Sequence, residues 1–200
     1  MSALRRICVY CGSGPGADPA FAAAARQLGQ IMAESRIGLV YGGGTIGLMG
    51  EISGAVLEHG GEATGVIPKF LTQREQARNR GHVIVTADMH ERKQRMFELA
   101  DAFVALPGGV GTLEEVVEQM TWAQLGRHRK PILLASIGGF WAPLCALLDH
   151  MQELQFIRTG LEINYLVADR VDEILPMLRS ATTIVPEDAK RGLPETLERL

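Results

Sequence analysis

The chain has 200 residues, 46% of them hydrophobic and 22% charged, with a formal net charge of -3 at neutral pH. That composition suits one globular domain that can bury a core without staples, and the slightly acidic balance speaks against a nucleic-acid-coating protein, whose surface must be basic to displace counterions. An anionic ligand would be drawn by local dipoles and a few cations rather than by the global field.

Short aliphatic or β-branched runs alternate along the chain with longer amphipathic ones. That alternation predicts an α/β fold, a Rossmann-like doubly wound parallel sheet of about seven strands with helices on both faces. The first strand is expected at 6–11 and holds Cys8 and Cys11; Cys145 is the third cysteine. No disulfide framework follows from three thiols, and no second pair completes a redox or zinc site around the C-x-x-C, so a reducing cytoplasm is expected. A helix at 20–34, a strand at 38–41, a helix at 48–59 and a strand at 63–67 come next. The stretch 68–81, with Arg74, Glu75, Arg78 and Arg80, reads as a polar loop over a site. Strands at 82–86, 102–106, 132–135 and 165–168 then alternate with helices at 89–100, 113–125, 141–155 and 171–179. A single nucleotide-binding catalytic domain over 1–180 and a polar tail over 181–200 complete the expected organisation. The sequence shows neither a charged-then-apolar leader nor an apolar run near the ~20 residues that span a bilayer, so a soluble protein with no membrane partner is expected.

Three glycine-rich turns fall at the carboxyl ends of strands: Gly12-Ser13-Gly14, Gly42-Gly43-Gly44 and Gly108-Gly109-Val110-Gly111. Ligands of an open parallel sheet bind at that edge, where strand order switches. The third turn, in Leu106-Pro107-Gly108-Gly109-Val110-Gly111-Thr112-Leu113-Glu114-Glu115, reads as an anion cradle, because free N–H groups and the positive end of a helix dipole suit a phosphate. A carboxylate in the first turn of that helix adds an acid or base beside it. Gly42 to Gly47 matches the G-x-G-x-x-G of dinucleotide enzymes. The acidic residue due at the end of the following strand is missing, however: Glu62 precedes that strand and Ile67 runs into Pro68. A phosphate cradle without a second nucleotide is therefore preferred to a dehydrogenase, with tight helix–strand packing as the structural alternative.

Asp88-Met89-His90-Glu91-Arg92-Lys93 opens a helix with Asp88 as its cap and Glu91 as capping partner. Arg92 shares the apolar side of Met89 and Met96, and cations there oppose the helix dipole. An anionic ligand or a carboxylate would resolve the conflict, and the ligand is the favoured reading. Thr112 to Glu115 also matches a capping box, which would give Glu115 a purely structural role. The five histidines show no metal-ligand spacing, so neither a metal nor another cofactor is expected.

Pro107-Gly108-Gly109-Val110-Gly111-Thr112-Leu113-Glu114-Glu115 resembles the P-G-G-x-G-T-x-x-E motif of the LONELY GUY family, the cytokinin riboside 5′-monophosphate phosphoribohydrolases. The resemblance continues through Met89-His90-Glu91-Arg92-Lys93, the Gly42-Gly43-Gly44 and Cys11-Gly12-Ser13 turns and Thr121-Trp122-Ala123-Gln124-Leu125-Gly126, and reaches about Ile157. It implies hydrolysis of the N-glycosidic bond of a nucleoside 5′-monophosphate, AMP or prenylated AMP, to a free base and ribose 5-phosphate. Arg92 and Glu115 fall on the family's catalytic pair. Gly109, Val110, Gly111, Thr112, Leu113, Glu114, Lys93 and Thr121 fall on its nucleotide contacts, with Gly108, Gly43, Gly44 and Ser13 in the adjoining turns and Glu75 as the nearest match for a glutamate in the preceding loop. The resemblance also implies a homodimer with sites near its interface, in keeping with the wide apolar surface of the 113–125 helix. Two other readings are weighed against it. A pyridoxal phosphate decarboxylase needs a Schiff-base lysine with supporting contacts, which Lys69, Lys93, Lys130 and Lys190 do not supply in sequence. A nucleotide or molybdenum-cofactor carrier would share the fold and the glycine turns without the catalytic pair.

Overall fold

The computed structural model describes residues 4–72, 81–158 and 160–183. Seven parallel strands form one sheet: β1 (Arg6–Tyr10), β2 (Gly38–Tyr41), β3 (Ala63–Pro68), β4 (His82–Thr86), β5 (Ala102–Ala105), β6 (Ile132–Ala135) and β7 (Leu166–Ala168), in the order β4-β3-β2-β1-β5-β6-β7. Six helices connect them: α1 (Pro19–Glu34), α2 (Gly47–Glu58), α3 (Met89–Leu99), α4 (Val110–Gln124), α5 (Ala142–Glu153) and α6 (Val171–Thr183). Both faces of the sheet are covered, as near-continuous apolar strands require. Alternate residues of β1 serve opposite layers: Ile7 and Val9 pack with Leu28, Ile52 and Leu178 from α1, α2 and α6, while Cys8 and Tyr10 pack with Met96, Val116 and Leu148 from α3, α4 and α5.

The order reverses between β1 and β5, which pair from Ile7 against Ala102 to Tyr10 against Ala105. The turns that follow these two strands are therefore neighbours. Leu106 N–H donates to the Tyr10 carbonyl at 2.9 Å and Gly12 N–H to the Pro107 carbonyl at 3.0 Å. Leu48 N–H, at the start of α2, donates to the Gly12 carbonyl at 3.1 Å, which draws the second glycine turn into the same edge.

The expected strands agree with those observed to within a residue at each end. The helix expected at 113–125 differs, because it begins three residues earlier, at Val110, with Gly109 as its cap. Gly111 and Thr112 are compatible with helix, so the glycine run ends sooner than its composition suggests. The polar loop opens with a short turn of 3-10 helix, Lys69–Leu71; Glu75 lies outside the described residues, as does the chain beyond Thr183.

Candidate active site

The cleft lies at the β1/β5 switch point and encloses about 340 Å³. Tyr10 and Cys11 form its back, Ser13 and Gly42 one side, and Gly109 to Thr112 with Glu114 and Glu115 the other, while Arg92 enters from α3. Each arrival has a local cause. The Asp88 carboxylate caps α3 by accepting from Glu91 N–H at 2.9 Å, and Glu91 reaches back to accept from Ala87 N–H at 2.8 Å. That cap fixes the first turn of α3 and places Arg92 one turn in, on the buried side with Met96.

Arg92 and Glu115 meet in a buried ion pair. Arg92 Nη1 donates to Glu115 Oε1 at 2.5 Å, and Arg92 Nε donates to the Val66 carbonyl at 3.0 Å. Their side chains are only 10% and 9% exposed, so water screens the pair little. Glu115 is thus not the partner in a capping box: α4 has no side-chain cap, and the carboxylate lies in its second turn, aimed at α3. The carboxylate also answers the charge conflict at Arg92 that a ligand was expected to answer. Burial pushes the Glu115 carboxyl above its ordinary value, and the Arg92 guanidinium opposes that shift without cancelling it.

The start of α4 is open toward the cleft. Leu113 N–H makes the first bond back, to the Gly109 carbonyl at 3.0 Å, and the N–H groups of Val110, Gly111 and Thr112 ahead of it have no partner among the described residues. A helix N-terminus of this kind is suited to an anion. Lys93 stands beside it, its ammonium donating to Glu114 at 2.7 Å and to Glu118 at 2.8 Å. Burial pulls the Lys93 ammonium down, but those two carboxylates outweigh it and leave its pKa raised.

Most of the expected residues converge here, and several do not. Gly108 packs behind the cleft against the Thr112 side chain, Gly43, at φ 80°, backs onto Ile67, and Gly44 is buried beside it; none of the three lines the cavity. Leu113 and Thr121 lie on the outer side of α4, where the Thr121 hydroxyl donates to the Val117 carbonyl at 2.9 Å. From the sequence, Gly42 stands out only as part of its glycine turn, and Glu118 and the Val66 carbonyl do not stand out at all. A Cβ on Gly42 would sit 2.5 Å from Arg92 Nη2 and 2.9 Å from Met49 Sδ, so the first glycine of that run makes room for the guanidinium. Glu118 follows Glu114 by four residues, a spacing that could have flagged it. No side-chain pattern announces a backbone acceptor such as Val66.

Cys8 and Cys11 are both buried, and burial pushes their thiols far above the usual range, so neither is primed as a nucleophile or metal ligand. Among the described residues no His, Cys, Asp and Glu cluster could hold a metal, and no helix is long and apolar enough to cross a membrane.

The family model that matches, over residues 49–178, is described as a possible lysine decarboxylase. A protein from Arabidopsis thaliana named cytokinin riboside 5′-monophosphate phosphoribohydrolase is 51% identical over 157 residues, 78% of this chain and 72% of that one. A rice protein of the same name is 52% identical over 149 residues, covering 74% of this chain and 62% of its own length. The chain belongs to the LONELY GUY family. Among solved structures, the molybdenum cofactor carrier protein of Chlamydomonas reinhardtii superposes with a TM-score of 0.67 at 20% identity, over 92% of this chain and all of that one, which establishes a shared fold. Decarboxylation, the wording attached to the family model, finds no support in the lysines. Lys93 is held by two carboxylates, Lys130 Nζ donates to the Phe97 carbonyl at 2.6 Å, Lys69 is exposed beyond β3, and Lys190 lies outside the described residues.

Proposed function

We propose that this protein hydrolyses the N-glycosidic bond of purine nucleoside 5′-monophosphates, AMP or an N6-prenylated AMP of the cytokinin type, to free base and ribose 5-phosphate. The observation that carries this reading is the Arg92–Glu115 pair in one cleft with the uncapped start of α4. A terminal phosphate seated on the N–H groups of Val110 to Thr112 would hold the ribose against Glu115, and binding energy from that remote group would position the sugar. As the C–N bond breaks, its electron pair leaves with the base and positive charge grows on the sugar. The buried Glu115 carboxylate stabilises that charge and takes a proton from the attacking water as the water oxygen bonds to the sugar; that proton passes on to the base nitrogen, which releases neutral base and restores the carboxylate. Arg92, bound to Glu115 and within the cleft, serves either the phosphate or the departing base, and Lys93 with Glu114 borders the nucleotide.

Base release measured by chromatography on AMP and prenylated AMP tests this reading. Both monophosphates are expected to react, adenosine and ATP poorly, and a chelator to have no effect. Adenosine cleaved as well as AMP would remove the phosphate anchor. The carrier alternative rests on likeness of fold alone, and it predicts nucleotide binding with no base released.

The site is expected to work within a homodimer. Val110, Leu113, Val117 and Leu125 are exposed along the outer side of α4, and Leu147, Met151 and Leu154 are exposed on and just after α5. A second copy covering that apolar surface would bury Leu113 and Thr121, which a single chain leaves outside its own cleft. Light scattering should then give at least twice the chain mass of 21.7 kDa, and a monomer at micromolar concentration would refute the dimer. A cytoplasmic location follows from the same reading, since the thiols are free and buried or half-buried.

A further inference from the structure

Gln119 is fully buried, and neither its amide nitrogen nor its amide oxygen has a hydrogen-bond partner among the described residues. Its backbone is well accounted for: the carbonyl lies 3.1 Å from His128 Nε2. An unbonded amide in a core is destabilising, and a leucine or methionine at this position would fill the same space without desolvating polar atoms. The position therefore calls for a state in which the amide is bonded.

Glu115 precedes Gln119 by four residues and shares the buried side of α4 with it, alongside Val116 and Met120. Residues at that spacing have Cβ atoms about 5–6 Å apart, and helical side chains lean toward the N-terminus, so the Gln119 side chain leans over the turn that carries Glu115. We propose that Gln119 is a positioning residue for Glu115: its amide N–H donates to the carboxylate when Arg92 gives up its own bond there. The inference rests on the proposed reaction, in which Arg92 turns from Glu115 to the phosphate or to the departing base.

The groups that face Glu115 leave that task to few candidates. Arg92 and Lys93 approach from α3, Cys8 and Tyr10 from β1 with Cys11 just beyond it, and Glu114 from its own helix. The Tyr10 hydroxyl is engaged with Cys8, a thiol is a weak donor, Glu114 repels, and the Lys93 ammonium is bound to Glu114 and Glu118. Once Arg92 is shared with substrate, the Gln119 amide is the donor best placed to keep Glu115 ionised and aimed.

A carboxyl ¹³C NMR titration of Glu115 tests this without substrate, in Arg92→Ala protein with and without Gln119→Met; Arg92→Gln serves as background if the alanine variant does not fold. Removing a hydrogen bond to the charged form should raise the Glu115 pKa by about one unit in the double variant. Equal pKa values in the two proteins would overturn the inference. In otherwise unaltered protein, Gln119→Met should raise the melting temperature. It should also lower kcat for AMP on the order of 10-fold, with little change in KM, and move the acid limb of the kcat profile to higher pH. A stabilised variant with unchanged kcat and pH profile would overturn it as well. Wild-type protein that releases no base from AMP would refute the functional reading instead, and the carboxyl titration would still decide the role of Gln119.

Discussion

Two helices begin at glycine runs on the same edge of the sheet, and their first turns are used differently. At α2 the Leu48 N–H is taken by the Gly12 carbonyl, and Gly47, at φ 57°, lies so close to the Ser13 backbone that any Cβ would collide with it. At α4 the N–H groups of Val110, Gly111 and Thr112 have no partner among the described residues, and Cβ atoms on Gly109 or Gly111 would meet nothing within 4 Å. The α2 run is used for packing, and its first glycine clears space for Arg92; the α4 run is left open beside the carboxylate. In an anion-binding fold, then, the glycine run with open space before its helix is the candidate seat, and the run closed by backbone packing at Gly47 is part of the wall.

The largest expected effect falls on the open side. Glu115→Gln keeps the shape and an acceptor for Arg92 but removes the charge, and should lower turnover of AMP by roughly 10²- to 10⁴-fold. Near-normal turnover with an unchanged melting curve would show that the α4 region is a scaffold too.

Arg92→Ala tests the junction between the two regions. The sequence alone suggests that removing a cation from the start of a helix would leave apo stability nearly intact. The structure reverses that expectation, because it leaves the Glu115 carboxylate buried and unpaired, at a cost of about 3 kcal/mol or more at neutral pH. Denaturant titration measures it, and a loss below ~1 kcal/mol would mean that water reaches the pair, as at exposed ion pairs.

The glycines themselves provide the direct contrast. Gly47→Ala should destabilise the fold by more than about 1 kcal/mol, since it adds a left-handed backbone penalty to a clash with Ser13. Gly111→Ala should leave the fold intact or more stable by roughly 0.5–1 kcal/mol, because alanine is the better helix former, while weakening AMP binding if the phosphate approaches that backbone closely. Equal melting temperatures for the two variants would break the comparison.

The smallest effect is a matter of pH. Burial raises the Glu115 carboxyl above its ordinary 4.5, so the working carboxylate is protonated, and turnover lost, as pH falls through a value higher than 4.5. The same shift means that the folded state binds this proton more readily than the unfolded one. Its contribution to stability therefore declines as pH rises from 4.5 through the raised value. An acid limb at or below 4.5 would show that Arg92 overcomes burial.

Strand positions, the three glycine turns and the Arg92 and Glu115 candidates were legible in the sequence, because apolar periodicity and glycine placement are local properties of the chain. The capping box at Thr112 to Glu115 was a false local signal: the same four residues can cap a helix or sit inside one, and the choice depends on whether Glu115 finds Arg92 from a helix 23 residues earlier in the chain. Likewise, Thr121 and Leu113 share a helix with Glu115 yet face away from its cleft. Sequence by itself determined the layer architecture and which side chains could carry the chemistry, since these follow from periodicity and residue type. Only the tertiary structure decided that β1 and β5 would be neighbours, that Gly42 and the Val66 carbonyl would frame Arg92, and that a fully buried Gln119 would lie one turn from Glu115. Each of these depends on contacts between residues distant in sequence or on which side of a helix meets the sheet, and no local pattern encodes that.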